Sequence, residues 1–286
     1  MQRWPCSRRR IDVGFQAAVV QMNSVLCEVD ANLTKVATLV RSAAAMGAQV
    51  VLVPETFTTG YNVGGCLPQV ADTIPGKTTD AIGRLARDHG VYFYGSFIEK
   101  DGNRYHNTAV LVDPKGEILA AYRKVHLFAA EKRMFTPGDR PAVVDTELGT
   151  LGLTICMDLL FPEYIRGLVL AGAEYILNTT DWLRWGPIDR WGWCHSQPRA
   201  LAVVRALENT VGLAMACQWG QEGEYVKFGH SCIVSPSGRI LAGVEEGEGV
   251  AVHELSLDGV EEWRRIATYL ADRADHLDLY RELLDF

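Results

Sequence analysis

Residues 41–52, RSAAAMGAQVVL, and residues 166–177, RGLVLAGAEYIL, carry the same pattern and begin 125 positions apart. Each has small and apolar residues on one helix face, then a glycine that ends the helix, then an apolar run of strand length. A second pair, AVLVDPKGEILA (109–120) and SCIVSPSGRILA (231–242), begins 122 positions apart and is typical of hairpins. Similarity by chance between α/β segments is the alternative explanation, but two pairs of similar segments in the same order favour duplication. The sequence therefore predicts an α/β fold of two similar halves packed sheet against sheet.

The neighbouring segments continue this alternation of helices and strands. Asp30 is predicted to cap the first helix, Thr78 or Thr79 the second, and Pro162 lies near the start of a later one. No linker rich in Pro, Gly or Ser separates the halves, so residues 11–286 are predicted to form a single domain with a C-terminal arm. Residues 1–10 are basic without the apolar stretch of a secretion signal, and they are predicted to be disordered or extended. Strands are predicted at residues 14–22, 50–53, 91–98, 108–112, 118–122 and 151–156.

The composition excludes several classes of protein. Lys and Arg number 28 against 35 Asp and Glu, and this net charge of −7 argues against a nucleic-acid-binding protein. No apolar run approaches the roughly 18 residues that span a bilayer, so no membrane partner is expected. The seven cysteines include no CxxC pair, and we expect reduced thiols in a cytoplasmic protein.

Three residues could carry chemistry, and each also has an ordinary structural explanation. Cys156 ends a buried strand just before a helix, where a helix N-terminus lowers the pKa of a thiol; taken alone, it is more simply a buried structural cysteine. Glu55 follows a buried strand, at the strand end where α/β sheets place their sites, but it could be an ordinary loop carboxylate. Lys124 shares one face of an extended segment with Tyr122 and His126, and most such lysines are solvated. Together, a thiol, an ammonium and a carboxylate suffice for amide hydrolysis.

The motifs that contain these residues resemble those of a known family. They are PETFTTGY (54–61), YRKVHLF (122–128), MFTPGD (134–139) after Glu131, LTICMDLLFPE (153–163), RALENTV (205–211) and GHSCIVSPSG (229–238). In this order they are similar to the nitrilase superfamily of carbon–nitrogen hydrolases, over about residues 14 to 280. The resemblance implies a four-layer α-β-β-α sandwich, which agrees with the duplicated halves.

The resemblance also implies a role for each site residue. Glu55 would be the general base, Lys124 the oxyanion stabiliser and Cys156 the nucleophile. The backbone N–H of Met157 would complete the oxyanion hole, and Glu131 would be the second, substrate-orienting glutamate. Neither a metal ion nor an organic cofactor is implied, and the family resemblance predicts a homodimer.

The branch of the superfamily is indicated by the residues after the nucleophile. Members that hydrolyse nitriles usually have Trp-Glu after the cysteine, whereas Met157-Asp158 is similar to the amidase and carbamoylase branches. We therefore predict an amidase that hydrolyses a small-molecule amide to a carboxylic acid and ammonia. An N-carbamoyl amine or amino acid amidohydrolase, then a nitrilase, are the alternatives, and a non-catalytic binding protein of the same fold is a remote one.

Aromatic residues indicate the substrate pocket and a subunit contact. Because Glu55 and Thr180 occupy equivalent strand ends, the loop with Trp182 and Trp185 is predicted to overhang the site, and Tyr61 lies in the loop after Glu55. These aromatic side chains could wall an apolar pocket, or they could simply pack beneath a long loop. The segment 263–286 has periodic apolar residues and is predicted to be a helix followed by an extended arm that contacts a second subunit.

Overall fold

The computed structural model describes residues 14–284 of the chain, and the predicted N-terminal extension, residues 1–10, lies outside them. Two six-stranded sheets dominate the described part. The first sheet has the strand order β15-β1-β2-β3-β4-β5, and the second has the order β14-β13-β10-β8-β7-β6. The strands of the first sheet are β1 (Phe15–Gln21), β2 (Val50–Leu52), β3 (Tyr92–Asp101), β4 (Arg104–Val112), β5 (Ile118–Arg123) and β15 (Gly249–Leu255). Those of the second are β6 (Ala142–Thr146), β7 (Gly149–Ile155), β8 (Tyr175–Thr180), β10 (Gly212–Cys217), β13 (Ser231–Val234) and β14 (Ile240–Val244).

The two sheets repeat one topology, which confirms the duplication predicted from the sequence. In the first sheet β1, β2 and β3 run parallel, and β4 and β5 follow as an antiparallel hairpin. In the second sheet β7, β8 and β10 run parallel, and β13 and β14 follow in the same way. Each sheet also gains one antiparallel edge strand, β15 beside β1 and β6 beside β7.

Helices cover the outer face of each sheet, so the predicted four-layer α-β-β-α sandwich is confirmed. The helices are α1 (Val29–Ala45), α2 (Leu67–Val70), α3 (Lys77–His89), α4 (Glu131–Met134), α5 (Pro162–Leu170), α6 (Gly186–Asp189), α7 (Ser196–Asn209), α8 (Val260–Ile266), α9 (Tyr269–Asp275) and α10 (Leu277–Leu284). Helices α1 and α3 pack on the first sheet, and α5 and α7 pack on the second.

Alternation of side chains along β1 separates two cores. Ala17 and Val19 point between the sheets, into a core that continues through the second sheet to α5 and α7. Ala18 and Val20 point the other way, against apolar residues of α1 and α3. Because both faces of these strands are buried, their sequences are nearly continuous apolar runs.

Some predicted boundaries were wrong. Helix α1 begins at Val29, one residue before the predicted cap Asp30, and its N-cap is Glu28. Helix α3 begins at Lys77 with Gly76 as its N-cap, because the Thr79 hydroxyl pairs with the Gly76 backbone from inside the first turn. The predicted C-terminal helix and extended arm are instead three short helices, α8 to α10.

A small sheet and a disulfide lie outside the two main sheets. Strands β9 (Leu183–Arg184), β11 (Trp219–Glu222) and β12 (Tyr225–Phe228) form a three-stranded sheet. Cys27 and Cys66 form a disulfide, so the expectation that all thiols are reduced was wrong for this pair. The two cysteines are 39 positions apart and meet only through the fold, which no local spacing could reveal. No helix among residues 14–284 is long and apolar enough to cross a membrane.

Candidate active site

Equivalent strand ends of the two sheets meet between the halves. The Glu55 N–H points to the Thr180 carbonyl at 3.4 Å, and the Asp181 N–H donates to Glu55 Oε2 at 2.8 Å. The Thr179 hydroxyl donates to the Val53 carbonyl at 2.8 Å. The carboxyl ends of β2 and β8 are thus joined, as the offset of 125 residues predicted.

Lys124 lies between two buried carboxylates. Its Nζ donates to Glu55 Oε1 at 2.7 Å and to Glu131 Oε2 at 2.8 Å, and all three side chains are at most 2% exposed. The Asn107 side-chain amide donates to Glu55 at 2.7 Å and to Glu131 at 3.1 Å. The Phe128 N–H donates to Glu131 at 2.7 Å. An ammonium has three N–H donors, so one donor of Lys124 is left over beyond these two carboxylates.

The pKa values in this group follow from burial and mutual charge. Burial by itself lowers the pKa of Lys124, but Glu131 and Glu55 outweigh it and hold that pKa well above its ordinary value. Burial raises the pKa of Glu131, and Glu55 raises it further, while Lys124 opposes both. The two carboxylates therefore favour the charged form of Lys124.

Cys156 follows β7 directly, in a strained turn. Its φ of 45° lies in the left-handed region, which a non-glycine residue adopts only when its surroundings impose it. The following short 3₁₀ turn spans Cys156–Leu160. The Asp158 carboxylate fixes this turn by accepting the Ile155 N–H at 2.8 Å and the Tyr122 hydroxyl at 2.7 Å.

The expected low thiol pKa at Cys156 was wrong. Burial raises the pKa of Cys156 well above its ordinary value, and Glu55 raises it further, with Lys124 only partly opposing them. The nearest long helix, α5, begins six positions later at Pro162, too far along the chain for its first turn to offset this burial. The side chain of Cys156 is therefore a thiol at rest, and a base must take its proton before the sulfur can act as a nucleophile.

A cavity of about 200 Å³ lies beside Cys156, and most of its lining is apolar. Trp182 lines it together with Met157 and Trp193. Trp185 does not line the cavity itself, but it packs edge-on against Phe128, which does. The other lining residues are Leu160, Asp181, Leu183 and Ile188.

Tyr61 lies near the buried carboxylates. Its side chain is 8% exposed, its hydroxyl has no hydrogen-bond partner, and burial followed by the charge of Glu131 raises its pKa above the ordinary range. Its ring packs edge-on against Tyr225, which in turn lies against Trp185. Tyr61, Tyr225, Trp185 and Phe128 thus form an aromatic arc beside the carboxylates.

The sequence reasoning missed three polar residues of the site. Asn107, Asp158 and Asp181 are each at most 3% exposed and each touches a predicted site residue or its neighbour. A polar residue where an apolar strand begins or ends is the only signal they share. Arg205, Glu208 and Asn209, from the motif at 205–211, form a polar network outside the cavity: Arg205 donates to the Leu159 carbonyl and to Glu208, and the Asn209 amide donates to the Arg205 carbonyl.

Comparisons with known proteins identify relatives along nearly the whole chain. A family model described as carbon–nitrogen hydrolase matches residues 16–265. A nitrilase from Pyrococcus abyssi is 38% identical over 247 residues, 85% of this chain and 90% of that protein. An omega-amidase from Homo sapiens is 30% identical over 279 residues, 91% of this chain and 96% of that one. The solved amidase of Nesterenkonia sp. AN1, with acrylamide added at its active-site cysteine, superposes with a TM-score of 0.81 at 30% identity, covering 94% of this chain and 100% of that one.

Proposed function

The chain belongs to the carbon–nitrogen hydrolase family of the nitrilase superfamily, and on that premise we propose that it hydrolyses a small-molecule carboxamide through a thioester on Cys156. Membership makes it a hydrolase of carbon–nitrogen bonds other than peptide bonds. The overall reaction is R–CO–NH₂ + H₂O giving R–COOH and NH₃.

One observation carries the proposal: a buried ammonium held between two carboxylates beside a cavity that a strained cysteine lines. Burial makes each of these groups costly unless it is used or paired. The two carboxylates take two of the donors of Lys124, and the third is available for an oxygen that becomes negatively charged.

In the first half-reaction the Cys156 sulfur attacks the amide carbon while its proton passes to Glu55. The carbonyl oxygen becomes an oxyanion, which Lys124 and the Met157 backbone N–H stabilise. The C–N bond then breaks, Glu55 returns the proton to the nitrogen, and ammonia leaves. Glu131 holds Lys124 and orients the amide, and the product of this half-reaction is the thioester.

In the second half-reaction water attacks the thioester carbon and loses a proton to Glu55. The C–S bond breaks, the carboxylic acid leaves, and the thiol of Cys156 regains its proton. Because the thiol begins and ends each cycle protonated, its raised pKa is compatible with turnover provided that the base lies beside it.

The aromatic side chains suggest the acyl group. Trp182 lines the cavity, and Tyr61 and Trp185 extend the aromatic surface beside it. Apolar walls with few polar groups favour bulky or aryl-bearing amides. We expect phenyl-substituted amides to have a higher kcat/KM than acetamide, and equal or faster turnover of acetamide would contradict this.

The test of the mechanism is the thioester itself. Mass spectrometry of the enzyme during turnover is expected to show an acyl adduct that Cys156→Ala lacks, with kcat lowered by about 10⁴-fold or more. Cys232→Ala is the matched control, because Cys232 is a buried cysteine of the second sheet outside the cavity. An unchanged rate in Cys156→Ala would end the proposal.

Nitrile hydrolysis is a second candidate, because the relative from Pyrococcus abyssi carries the name nitrilase. A panel of nitriles that stays inert while amides release ammonia would remove it, and release of CO₂ with the ammonia would indicate a carbamoyl substrate instead.

A cytoplasmic location remains a prediction. Disulfides persist mainly in oxidising compartments. Counting the free thiols of the protein taken from its cells tests the location, because a cytoplasmic protein is expected to have Cys27 and Cys66 reduced.

A further inference from the structure

Gln218, which follows β10 directly, is a buried residue that the proposed mechanism does not use. Its side-chain N–H groups donate to the Glu55 carbonyl at 3.0 Å and to Ser24 Oγ at 2.6 Å. Its side-chain oxygen accepts the Ser24 N–H at 3.0 Å. Both N–H donors and the oxygen of the amide are therefore engaged within the protein, and neither Gln218 nor Ser24 lines the cavity beside Cys156.

The contacts of Gln218 and Ser24 hold the start of the loop after β2. The Ser24 hydroxyl donates to the Phe57 carbonyl at 2.9 Å, so the carbonyl groups of Glu55 and Phe57 are both held. Between them lies Thr56, whose φ of 47° is in the left-handed region. A β-branched residue keeps that conformation only when its surroundings impose it, and these two hydrogen bonds are part of that constraint.

The main chain of Gln218 is fixed to the second sheet. Its N–H donates to the Thr180 carbonyl at 3.0 Å, and its carbonyl accepts the Gly229 N–H at 2.9 Å. Thr180 ends β8, which pairs in parallel with β7, and Cys156 follows β7. Gln218 is therefore attached to the half of the molecule that supplies the thiol, while its side chain holds the main chain of Glu55.

We infer that Gln218 is a positioning residue that places the Glu55 carboxylate relative to the Cys156 sulfur. Ser24 is its partner in this role. The inference rests on the proposed amidase function, in which Glu55 takes the proton of the thiol. Without these hydrogen bonds the loop can relax from the left-handed conformation at Thr56, and the carboxylate moves with it. Proton transfer from Cys156 is then slowed, because a displacement of a catalytic group by about 1 Å costs up to about 100-fold in rate.

Gln218→Met tests this role, because it removes the amide while nearly keeping the length and volume of the side chain. We expect kcat to fall by about 10- to 100-fold, with KM changed by less than about threefold. Alkylation of Cys156 by iodoacetamide, measured by mass spectrometry of its peptide, is expected to slow by a similar factor, because the thiolate is the form that reacts. Ser24→Ala is a milder variant that keeps the test open if Gln218→Met does not fold, and it is expected to slow both reactions.

Gln21→Met is the matched control. Gln21 is also a buried glutamine at the end of a strand, and its side chain donates to the Gly247 carbonyl at 2.9 Å and accepts the Ser231 N–H at 3.0 Å. Neither partner lies in the loop that carries Glu55. We expect Gln21→Met to lower the midpoint of urea unfolding as Gln218→Met does, while kcat and the alkylation rate stay within about threefold of the unmodified protein.

Alkylation separates this inference from the catalytic proposal, because it needs no amide. If no amide is hydrolysed by the unmodified enzyme, but alkylation slows in Gln218→Met and Ser24→Ala and not in Gln21→Met, the catalytic proposal fails and the inference about Gln218 stands. If Gln218→Met and Ser24→Ala keep the kcat and the alkylation rate of the unmodified protein, or if Gln21→Met slows alkylation as much, the inference is overturned and the amidase function is untouched.

Discussion

Asp158 connects two residues that the proposed reaction needs together. Its Oδ2 accepts the Tyr122 hydroxyl and the Ile155 N–H, and its Oδ1 accepts a hydrogen bond from His126 Nδ1 at 2.7 Å. Tyr122 and His126 flank Lys124, whereas Ile155 precedes Cys156. One buried carboxylate therefore fixes the lysine segment relative to the strained cysteine turn.

We expect Asp158→Asn to lower kcat by roughly 10- to 100-fold with a much smaller change in KM. An amide has one acceptor oxygen where the carboxylate has two, so at least one of these donors loses its partner, which costs about 1–3 kcal/mol of stability. Steady-state kinetics and urea unfolding measure the two effects. A variant with normal kcat but lowered stability would show that Asp158 has only a structural role.

The raised pKa of Asp181 makes the free energy of unfolding depend on pH. Burial, Glu55 and Glu222 raise its pKa from the ordinary 3.8 to about 7, and Lys227 opposes them. Between those pH values the folded chain keeps a proton that the unfolded chain releases, so this group lowers the free energy of unfolding as pH rises from about 4 to 7. Asparagine resembles the protonated carboxyl group. The free energy of unfolding of Asp181→Asn is therefore expected to exceed that of the unmodified protein by up to about 4 kcal/mol at pH 8, and by little at pH 4.

Urea unfolding at several pH values checks this difference. Asp189→Asn provides the comparison, because it removes a partly exposed carboxylate from the same segment. Parallel curves for Asp181→Asn and the unmodified protein would mean that the Asp181 carboxyl group titrates normally in the folded state.

The residues differ in how far sequence could identify them. Glu55, Lys124 and Cys156 each follow a strand in a recognisable motif, and the fold brings Glu55 and Lys124 into direct contact. Asn107 contacts Glu55 within the first sheet, 52 positions away, and Asp181 contacts Glu55 across the sandwich, 126 positions away. Contacts of that range depend on how the sheets are packed, and a single sequence carries no local pattern for them.

At the scale of elements, Lys124 owes its position to a close crossing of two segments. The Gly138 N–H donates to the Lys124 carbonyl at 2.8 Å, and a Cβ on Gly138 would lie 2.1 Å from the Arg123 carbonyl oxygen. No side chain fits there unless the backbone that carries Lys124 moves.

Gly138→Ala is therefore expected to lower kcat/KM by about 100-fold or more, because displacement of a catalytic group by about 1 Å has effects of that size. Gly167→Ala is the control: a Cβ there meets nothing within 4 Å, and alanine stabilises a helix interior by about 0.5–1 kcal/mol. Kinetics and thermal unfolding of both variants test the prediction. Full activity in Gly138→Ala would mean that the crossing is looser than the structure indicates.

The sequence predicted whether a segment is a helix or a strand where its hydrophobic pattern was long, but it did not predict the residues at which the helices begin. The hairpin of β4 and β5 and the buried strand β7 were predicted within a few residues of their observed ends. The caps of α1 and α3 were wrong because no side chain caps the N-terminus of α1, and in α3 the Thr78 N–H donates to the carboxylate of Asp72, six positions earlier. The C-terminal segment broke into three helices because its exposed face leaves few tertiary contacts to fix one long axis.

At the scale of the whole molecule, the proposed site belongs to neither half alone. Glu55 and Lys124 come from the first sheet, whereas Cys156 and Asp181 come from the second. The duplication could be recognised from repeated segments, and it implies that equivalent strand ends meet. Which side chains the two halves contribute there could not be derived from the repeat, because the halves differ at those positions.

The homodimer remains a prediction, and the surface formed by α5, α7 and α8 to α10 is where it would form. A groove of about 880 Å³ runs between these helices, lined in part by Leu170, Leu207 and Trp263. Leu170, which lines the groove, is 60% exposed, and Ile266 in α8 is 71% exposed; exposed apolar side chains of this kind are typical of subunit contacts. A second copy of the chain would bury this face and shift the apparent mass to twice 31.6 kDa.

We expect sedimentation equilibrium to give the doubled mass for the unmodified protein and the single mass for Ile266→Asp, because a carboxylate buried in an apolar interface loses its hydration without a partner. Met46→Asp is the matched control, since Met46 is 55% exposed at the end of α1, on the opposite outer layer. Its mass is expected to stay doubled. Monomers at all concentrations of the unmodified protein, or dissociation caused by Met46→Asp instead, would place the subunit contact elsewhere or remove it. Because the groove begins at Pro162, six positions after Cys156, dissociation is also expected to lower kcat by loosening the turn that carries the thiol.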